Sequence, residues 1–429
     1  MRLRATPHNL ASELALEIYA KVLDAVRADT LVRKTLDRVG DALFVQGSHV
    51  DLTHFDRIWI AGVGKASIEM AKAATEIVGD RLAGGLVITK RGQAEPVEGL
   101  EVLEASHPVL DESSIHAGER MAQFAEGLEE RDLVIFVLSG GASAMMEYPR
   151  EGIKLEDLQK TTEIMLGSGL DIREMNAIRS RLSRIKAGGL AKNFEPATVI
   201  ALVLSDVVGN DLQAVGSGPL LERKESDLRT PPSVKAKFPE PVQVALEGYI
   251  PRLPLSQHVE HFVIGGISLA VYAASQAAIS VGLRPLPYAD PLKGDSRIMA
   301  SKICSYAKRV DVGDSCLIFG GETTVNVKGK GLGGRCQEMT LVAARTISGL
   351  KDTCFLACGT DGADGPTDAA GGFVDPESIA RAKKAGYHRG ISLADNDSYH
   401  YLESCGGLIF TGPTGSNVND LVLVVQAAR

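Results

Sequence analysis

The segment LVIFVLSGGASA, residues 133–144, carries six apolar residues straight into a loop of serine, glycine and alanine. An unbroken apolar run of that length suits a strand buried on both faces of a parallel sheet. Four more segments repeat the pattern with different loop chemistry: RIWIAGVGKAS (57–67), TVIALVLSDVVGND (198–211), CLIFGGETT (316–324) and CFLACGTDGADGPTD (354–368). A parallel strand that ends in small or acidic residues ahead of a helix aims loop amides and a helix N-terminus at one point, a ready site for anions. Five such loops with five chemistries point to a composite site that handles phosphate with a divalent cation.

The chain has 429 residues, enough for two or three domains with real cores. Strand-like runs alternate with amphipathic helical stretches through the first half, as in a βαβ series. Ile172–Lys186 reads as one of its helices. RTPPSVKAKFPEPVQ, with prolines between Pro231 and Pro241, reads as a connection between domains, and IPRLPLSQ near Pro251 continues it. Strands then return, among them Ser315–Phe319, Thr323–Val327 and Leu421–Val425. The expectation is an α/β protein with one domain over residues 1–245 and a second over 255–429.

The formal net charge of −8 argues against nucleic acid held by bulk electrostatics. No run of about 18 apolar residues occurs, so no membrane span is expected. The first residues lack a signal peptide's apolar centre and read as an amphipathic helix. Six cysteines, all in the last third, read as reduced thiols of a cytoplasmic protein.

GVGKAS brings Gly62, Gly64, Lys65 and Ser67 to a strand–helix junction. It is not a Walker A loop, since GxxxxGK[ST] is absent, and it is a poor dinucleotide fingerprint, since Ser67 stands where the last glycine belongs. TKRGQ also offers no acid for a ribose after the second strand. SGGASA, with Ser139, Gly140, Gly141 and Ser143, does not match the G-x-S-x-G elbow and reads as a phosphate- or carboxylate-cradling nest. In EMNAIRSRLSRIKAGGLA, helical spacing places Asn176, Arg179, Ser183 and Lys186 on one face, either solvated or facing an anion. Asp206 ends its strand, where a carboxylate can hold Mg²⁺ or accept a proton from a hydroxyl; Asp211 follows five residues on. Glu322 follows another strand, and Gly334 precedes Arg335, placed to fork onto phosphate or carboxylate oxygens. Asp361, Asp364 and Asp368 form an acidic loop that binds Mg²⁺ or makes aspartate turns. His107, in SHPVLD, reads as a structural histidine.

These blocks, with SHPVLDESS, GGETTVNVKGKGLGGRCQE, GTDGADGPTDAAGGFVD and the closing NDSYHYLESCGGLIFTGPTGSNVNDLVLVV, resemble the glycerate 2-kinase family in order and over nearly the whole chain. The resemblance implies a Rossmann-like three-layer N-terminal domain, a C-terminal α/β domain of the MOFRL type (about 315–425), and an active site in the cleft between them. It implies phosphorylation of D-glycerate by ATP with Mg²⁺, mostly at the 2-hydroxyl, by a monomer or homodimer. On this chain the motif lysine is Lys65, the SD aspartate Asp206 and the glycine-loop arginine Arg335. Asp206, Asp211, Asp361 and Asp364 are the candidate metal ligands. The competing readings are an NAD(P)H-dependent hydroxypyruvate reductase and a non-catalytic sensor of sugar acids or nucleotides.

Overall fold

The computed structural model describes residues 3–170, 172–207, 209–222, 230–248, 258–310 and 313–427. They pack as two units, one formed by Ala28–Ile264, the other by Met1–Arg27 with Gly265–Arg429. Both are α/β.

The Ala28–Ile264 unit opens with a small antiparallel sheet, β1 (Leu36–Val39), β2 (Ala42–Val45) and β3 (Ser48–Asp51). Its main sheet comprises β4 (Arg57–Val63), β5 (Leu82–Lys90), β6 (Glu101–Ala105), β7 (Asp132–Leu138), β8 (Thr198–Leu204) and β9 (Val259–Gly265), in the order β6-β5-β4-β7-β8-β9. The β6–β5, β5–β4, β4–β7 and β7–β8 pairings are all parallel. All seven residues of β7 are buried, Leu133–Leu138 as an unbroken apolar run requires and Asp132 in an ion pair with Arg57 (2.7 Å). The chain winds outward from β4 through β5 to β6, then returns to lay β7 on the other side of β4. The carboxyl ends of β4 and β7 therefore flank the point where winding reverses, the usual ligand crevice of such sheets. Helix Ser67–Val78 buries Ile68, Met70, Ala71, Ala74 and Val78 at helical spacing and stops at Gly79, whose φ is +59°.

In the other unit, β10 (Arg284–Pro287), β11 (Ser315–Gly321), β12 (Thr353–Gly359), β13 (Gly371–Val374), β14 (Leu408–Ile409) and β15 (Asp420–Gln426) lie in the order β10-β11-β15-β12-β13-β14. β15 runs antiparallel to both β11 and β12. The carboxyl ends of β11 and β12 and the amino end of β15 thus share one edge. Helix Leu10–Ala25, capped by Asn9, packs within this unit, and Tyr19 donates to the Gly359 carbonyl (2.7 Å).

Four expectations need correction. The division of the chain differs from 1–245 and 255–429, because the first helix packs with the C-terminal unit and β9 completes the N-terminal sheet. The proline-rich stretch is no linker: prolines start the helices Pro232–Lys235 and Glu240–Glu247, and Phe238, Val242 and Leu246 bury against Leu158, Met165 and Leu182. IPRLPLSQ lies outside the described residues. Thr323–Val327 is loop, with one bridge at Thr324; its amide neighbours at Lys328 and Gly329 donate instead to Asn396 Oδ1. The helix expected over Ile172–Lys186 ends at Leu182. Ser183 Oγ accepts from the Ile185 and Lys186 amides there, a local turn that competes with helix. All six cysteines are buried and free. Among the described residues no helix is long and apolar enough to cross a membrane.

Candidate active site

Three of the expected loops meet at the carboxyl edge of the main sheet of the Ala28–Ile264 unit, because β4, β7 and β8 are neighbours. The lysine and serine loops are laced together by backbone. Lys65 N–H donates to the Gly140 carbonyl (2.9 Å), Ala66 N–H to Ser139 Oγ (3.0 Å), and Ser139 N–H to the Val63 carbonyl (3.1 Å). Gly64 has φ +135°, and a Cβ there would lie 2.2 Å from Ser139 Oγ. The loops can therefore approach only with glycine at that position. Gly62 is as tight, 2.2 Å from Val137. Ser67 is buried with its hydroxyl within 2.8 Å of the Gly64 and Ile88 carbonyls. Ser67 and Ser139 are thus struts of the loops, where ligand contact was expected, and Lys65 is left partly exposed above them.

Beside the serine loop lies a cavity of about 700 Å³. Gly141, Ser143, Arg179 and Lys186 line it, joined by His107 and by Glu147, which no motif had marked. Ser143 Oγ is 2.9 Å from Ser217 Oγ, which donates to Asn176 Oδ1 (3.3 Å), so Asn176 is a buried brace behind the loop. Arg179 Nη1 approaches the same oxygen at 3.4 Å. Lys186 lies past the end of the helix and forms an ion pair with Glu147, their side chains 3% and 4% exposed. Glu147 also accepts from Tyr148 N–H (2.9 Å). Burial lowers the pKa of the Arg179 guanidinium, and Glu147 opposes that shift. Two cations share one carboxylate here, so the cavity end is net positive. The sequence signal for Glu147 was faint, an acid in an apolar stretch after Met145 and Met146.

Removing one member of a buried pair leaves the other charge without its partner, at a cost of about 3–5 kcal/mol. Glu147→Gln should therefore lower the urea midpoint sharply, and adding Lys186→Met should restore most of it. Equal midpoints for the wild type and Glu147→Gln would show that the pair does not support this fold.

Asp206 follows β8 by two residues and is half-buried at the same edge. Asp211 is exposed. Its Oδ1 accepts from Gln213 N–H (3.0 Å) and its carbonyl from Ala214 N–H (2.9 Å), the hydrogen bonds of a turn aspartate.

In the second unit, Arg335 opens helix Arg335–Ile347 behind Gly334. A Cβ on Gly334 would lie 2.3 Å from the Asp364 carboxyl carbon. Asp364 is buried, and its two oxygens accept from the Cys336 (3.1 Å) and Gln337 (2.8 Å) amides. Burial raises its pKa to about 6 against those hydrogen bonds. It caps a helix, each oxygen taking one amide of the first turn. Arg335 forks onto Asp420, Nε to Oδ2 at 2.6 Å and Nη2 to Oδ1 at 2.8 Å, while Nη1 reaches Glu322 at 3.2 Å. Burial works against the guanidinium charge, but Asp420 outweighs it and holds the Arg335 pKa above its ordinary value. Asn419 Nδ2 donates to the exposed Glu322 (3.1 Å). Asp420 and Asn419 were missed, although an acid opening an apolar strand, DLVLVV, is the mirror of the strand-end signal used elsewhere. Asp361 is half-buried and accepts from Ala363 N–H (3.2 Å); Asp368 is exposed and accepts from Tyr399 (2.8 Å). Among the described residues no three His, Cys, Asp or Glu side chains converge as a metal cage.

Two family models match the chain, one described as a domain of unknown function, DUF4147, over residues 14–237, the other as the MOFRL family over residues 315–420. The D-glycerate 2-kinase of Thermotoga maritima is 39% identical over 96% of this chain and 97% of its own length. A putative hydroxypyruvate reductase of Agrobacterium vitis is 37% identical over 85% of this chain and 86% of its own. The crystal structure of a glycerate kinase from Thermotoga maritima superposes with a TM-score of 0.84 at 38% identity, covering 97% of this chain and 99% of that one.

Proposed function

The chain belongs to the glycerate 2-kinase family and is a phosphotransferase with an alcohol group as acceptor, and on that premise we propose that it moves the γ-phosphoryl group of ATP to the 2-hydroxyl of D-glycerate. The products are 2-phosphoglycerate and ADP, and the hydroxyl proton leaves to a carboxylate or to solvent. The observation that carries this reading is the convergence of the Lys65 and Ser139 loops where the main sheet of the Ala28–Ile264 unit reverses its winding, with the Asp206 loop on the adjoining strand. Phosphoryl transfer needs positioning and charge neutralisation more than covalent help, and that edge offers an ammonium, glycine-loop backbone and a carboxylate.

Lys65 balances charge on the transferring group or on the glycerate carboxylate. Asp206 orients or deprotonates the attacking hydroxyl, or ligates Mg²⁺. Bound Mg²⁺ neutralises phosphate oxygens, and because the nucleotide supplies several of its ligands it needs only one or two protein carboxylates. Asp206 fits that modest requirement, and Asp361, half-buried with one amide donor to its Oδ1, is a further candidate. Arg335 keeps its fork on Asp420, while its Nη1 edge faces the exposed Glu322, a partner that a substrate anion can displace.

The reductase reading has a relative's name in its favour but lacks the chemistry. β5 ends at Lys90 with Arg91 next, where a ribose-binding acid belongs. Purified protein given ATP, Mg²⁺ and D-glycerate should release ADP, EDTA should stop it, and coupling to enolase should register the 2-phospho product directly. NADH oxidation with hydroxypyruvate at a faster rate would overturn the kinase reading, and ADP release indifferent to glycerate would overturn the acceptor.

A further inference from the structure

The cavity beside the serine loop has two ends of opposite character. At one end Arg179 and Lys186 share Glu147 next to Gly141 and His107. The other end is walled by Val109, Leu158, Met165 and Leu166. Polar groups along that wall are used internally: Thr161 donates to the Asp157 carbonyl (2.6 Å), Thr162 to Leu158 (2.9 Å) and Gln159 to Leu110 (3.0 Å). What they leave facing the cavity is apolar apart from Glu163, whose carboxylate pairs with Lys160 at 2.9 Å. Two large apolar side chains stand unusually bare there, Val109 at 63% and Leu166 at 69% exposure.

Glycerate does not match this shape. A three-carbon acid with two hydroxyls has almost no apolar surface to bury, and a cavity of about 700 Å³ is of the size that holds a drug-sized ligand. A flat heteroaromatic base with an anionic tail matches both ends. The apolar wall removes the base from water, and the net positive end, already largely desolvated, favours an anion.

We propose that this cavity takes the nucleoside of the phosphoryl donor, its purine between Val109, Leu158 and Leu166, its phosphates directed toward Gly141 and Arg179. The assignment rests on the kinase reading above. Gly141 holds φ +87°, and a Cβ there would lie 3.0 Å from the His107 ring and 2.7 Å from Met145, so the loop stays bare where the phosphates pass. A second cavity, of about 440 Å³ among Tyr288, Tyr306 and Phe319, is one rival. Its rings pack on one another at 5.3–6.4 Å between centroids, and its lysines, Lys293 and Lys302, are exposed. No desolvated cation waits there for an anion.

The test is photolabelling of the whole protein with 8-azido-ADP and Mg²⁺, mapped by mass spectrometry, alongside Val109→Glu and Leu166→Glu, two exposed positions where the fold should survive. The label should fall on residues 107–110 or 155–166 and be chased by ATP but not by glycerate. Each variant should raise the Kd for ADP and the KM for ATP about tenfold, the loss of roughly 1.4 kcal/mol of contact, with the KM for glycerate unmoved. Label at residues 288–306, or a shift in the glycerate KM alone, would overturn the assignment. Labelling needs no turnover, so label in this cavity without glycerate-dependent ADP release would sink the kinase reading and leave the nucleotide site standing.

Discussion

Lys65→Met and Arg335→Ala should each lower kcat by about a hundredfold or more, the usual consequence of losing a charge that meets the transition state. The lysine variant is the cleaner of the two. Its loop is held by backbone N–H groups that donate to the Gly140 carbonyl and Ser139 Oγ, and Lys65→Met keeps these donors. Arg335 differs, because Asp420 is buried against it, and Arg335→Ala strands that carboxylate. Loss of a buried partner costs about 3–5 kcal/mol and would confuse folding with catalysis. Arg335→Lys separates them: it keeps one positive charge for Asp420 but cannot fork onto Asp420 and reach a substrate anion as well. Its denaturation midpoint should stay near wild type while kcat falls. A thermal melt and a kcat against KM comparison decide the matter, and near-normal kinetics in both Lys65→Met and Arg335→Lys would leave Lys65 without a catalytic role and Arg335 as the structural partner of Asp420.

The residues that the sequence revealed well are those whose role depends on strand burial. β7 reads as buried on both faces because Leu133–Leu138 has no polar break, and the loops after β4, β7, β8, β11 and β12 follow from where such runs stop. What was misread depends on partners distant in sequence. The prolines of Pro231–Pro241 signal a turn or a helix start equally well, and burial of Phe238 and Val242 against the Leu158 and Leu182 helices chooses between them. Helical spacing carried Ile172–Lys186 four residues too far, since a serine hydroxyl that accepts local amides ends a helix without proline or glycine. The acidic loop looked like a metal site because composition cannot say where oxygens point. Asp364 turned out to face helix amides and Asp211 its own turn. Glu147 and Asp420 were invisible for the converse reason: each takes its meaning from one cation, Lys186 39 residues away and Arg335 85 residues away.

Asp206→Asn preserves size and hydrogen bonding while removing the charge that either proposed role requires. The residue follows β8, which pairs with β7 along its length, so it stands at the edge that carries the Lys65 and Ser139 loops. The two roles give different failures. A base lost from the hydroxyl should lower kcat by about 10²–10⁴ and leave Mg-ADP affinity intact, because nucleotide and metal do not depend on it. A ligand lost from Mg²⁺ should raise the Mg²⁺ concentration needed for half-maximal rate, and Mn²⁺, which binds the same donor atoms more tightly, should recover part of the activity. Titrating kcat with each metal in the wild type and in Asp206→Asn distinguishes them, with Mg-ADP binding measured in parallel. Ordinary turnover at ordinary Mg²⁺ would exclude both roles. Asp361→Asn would then become the informative variant, since Asp361 is the one acidic-loop metal candidate that the structure does not bind to a helix end.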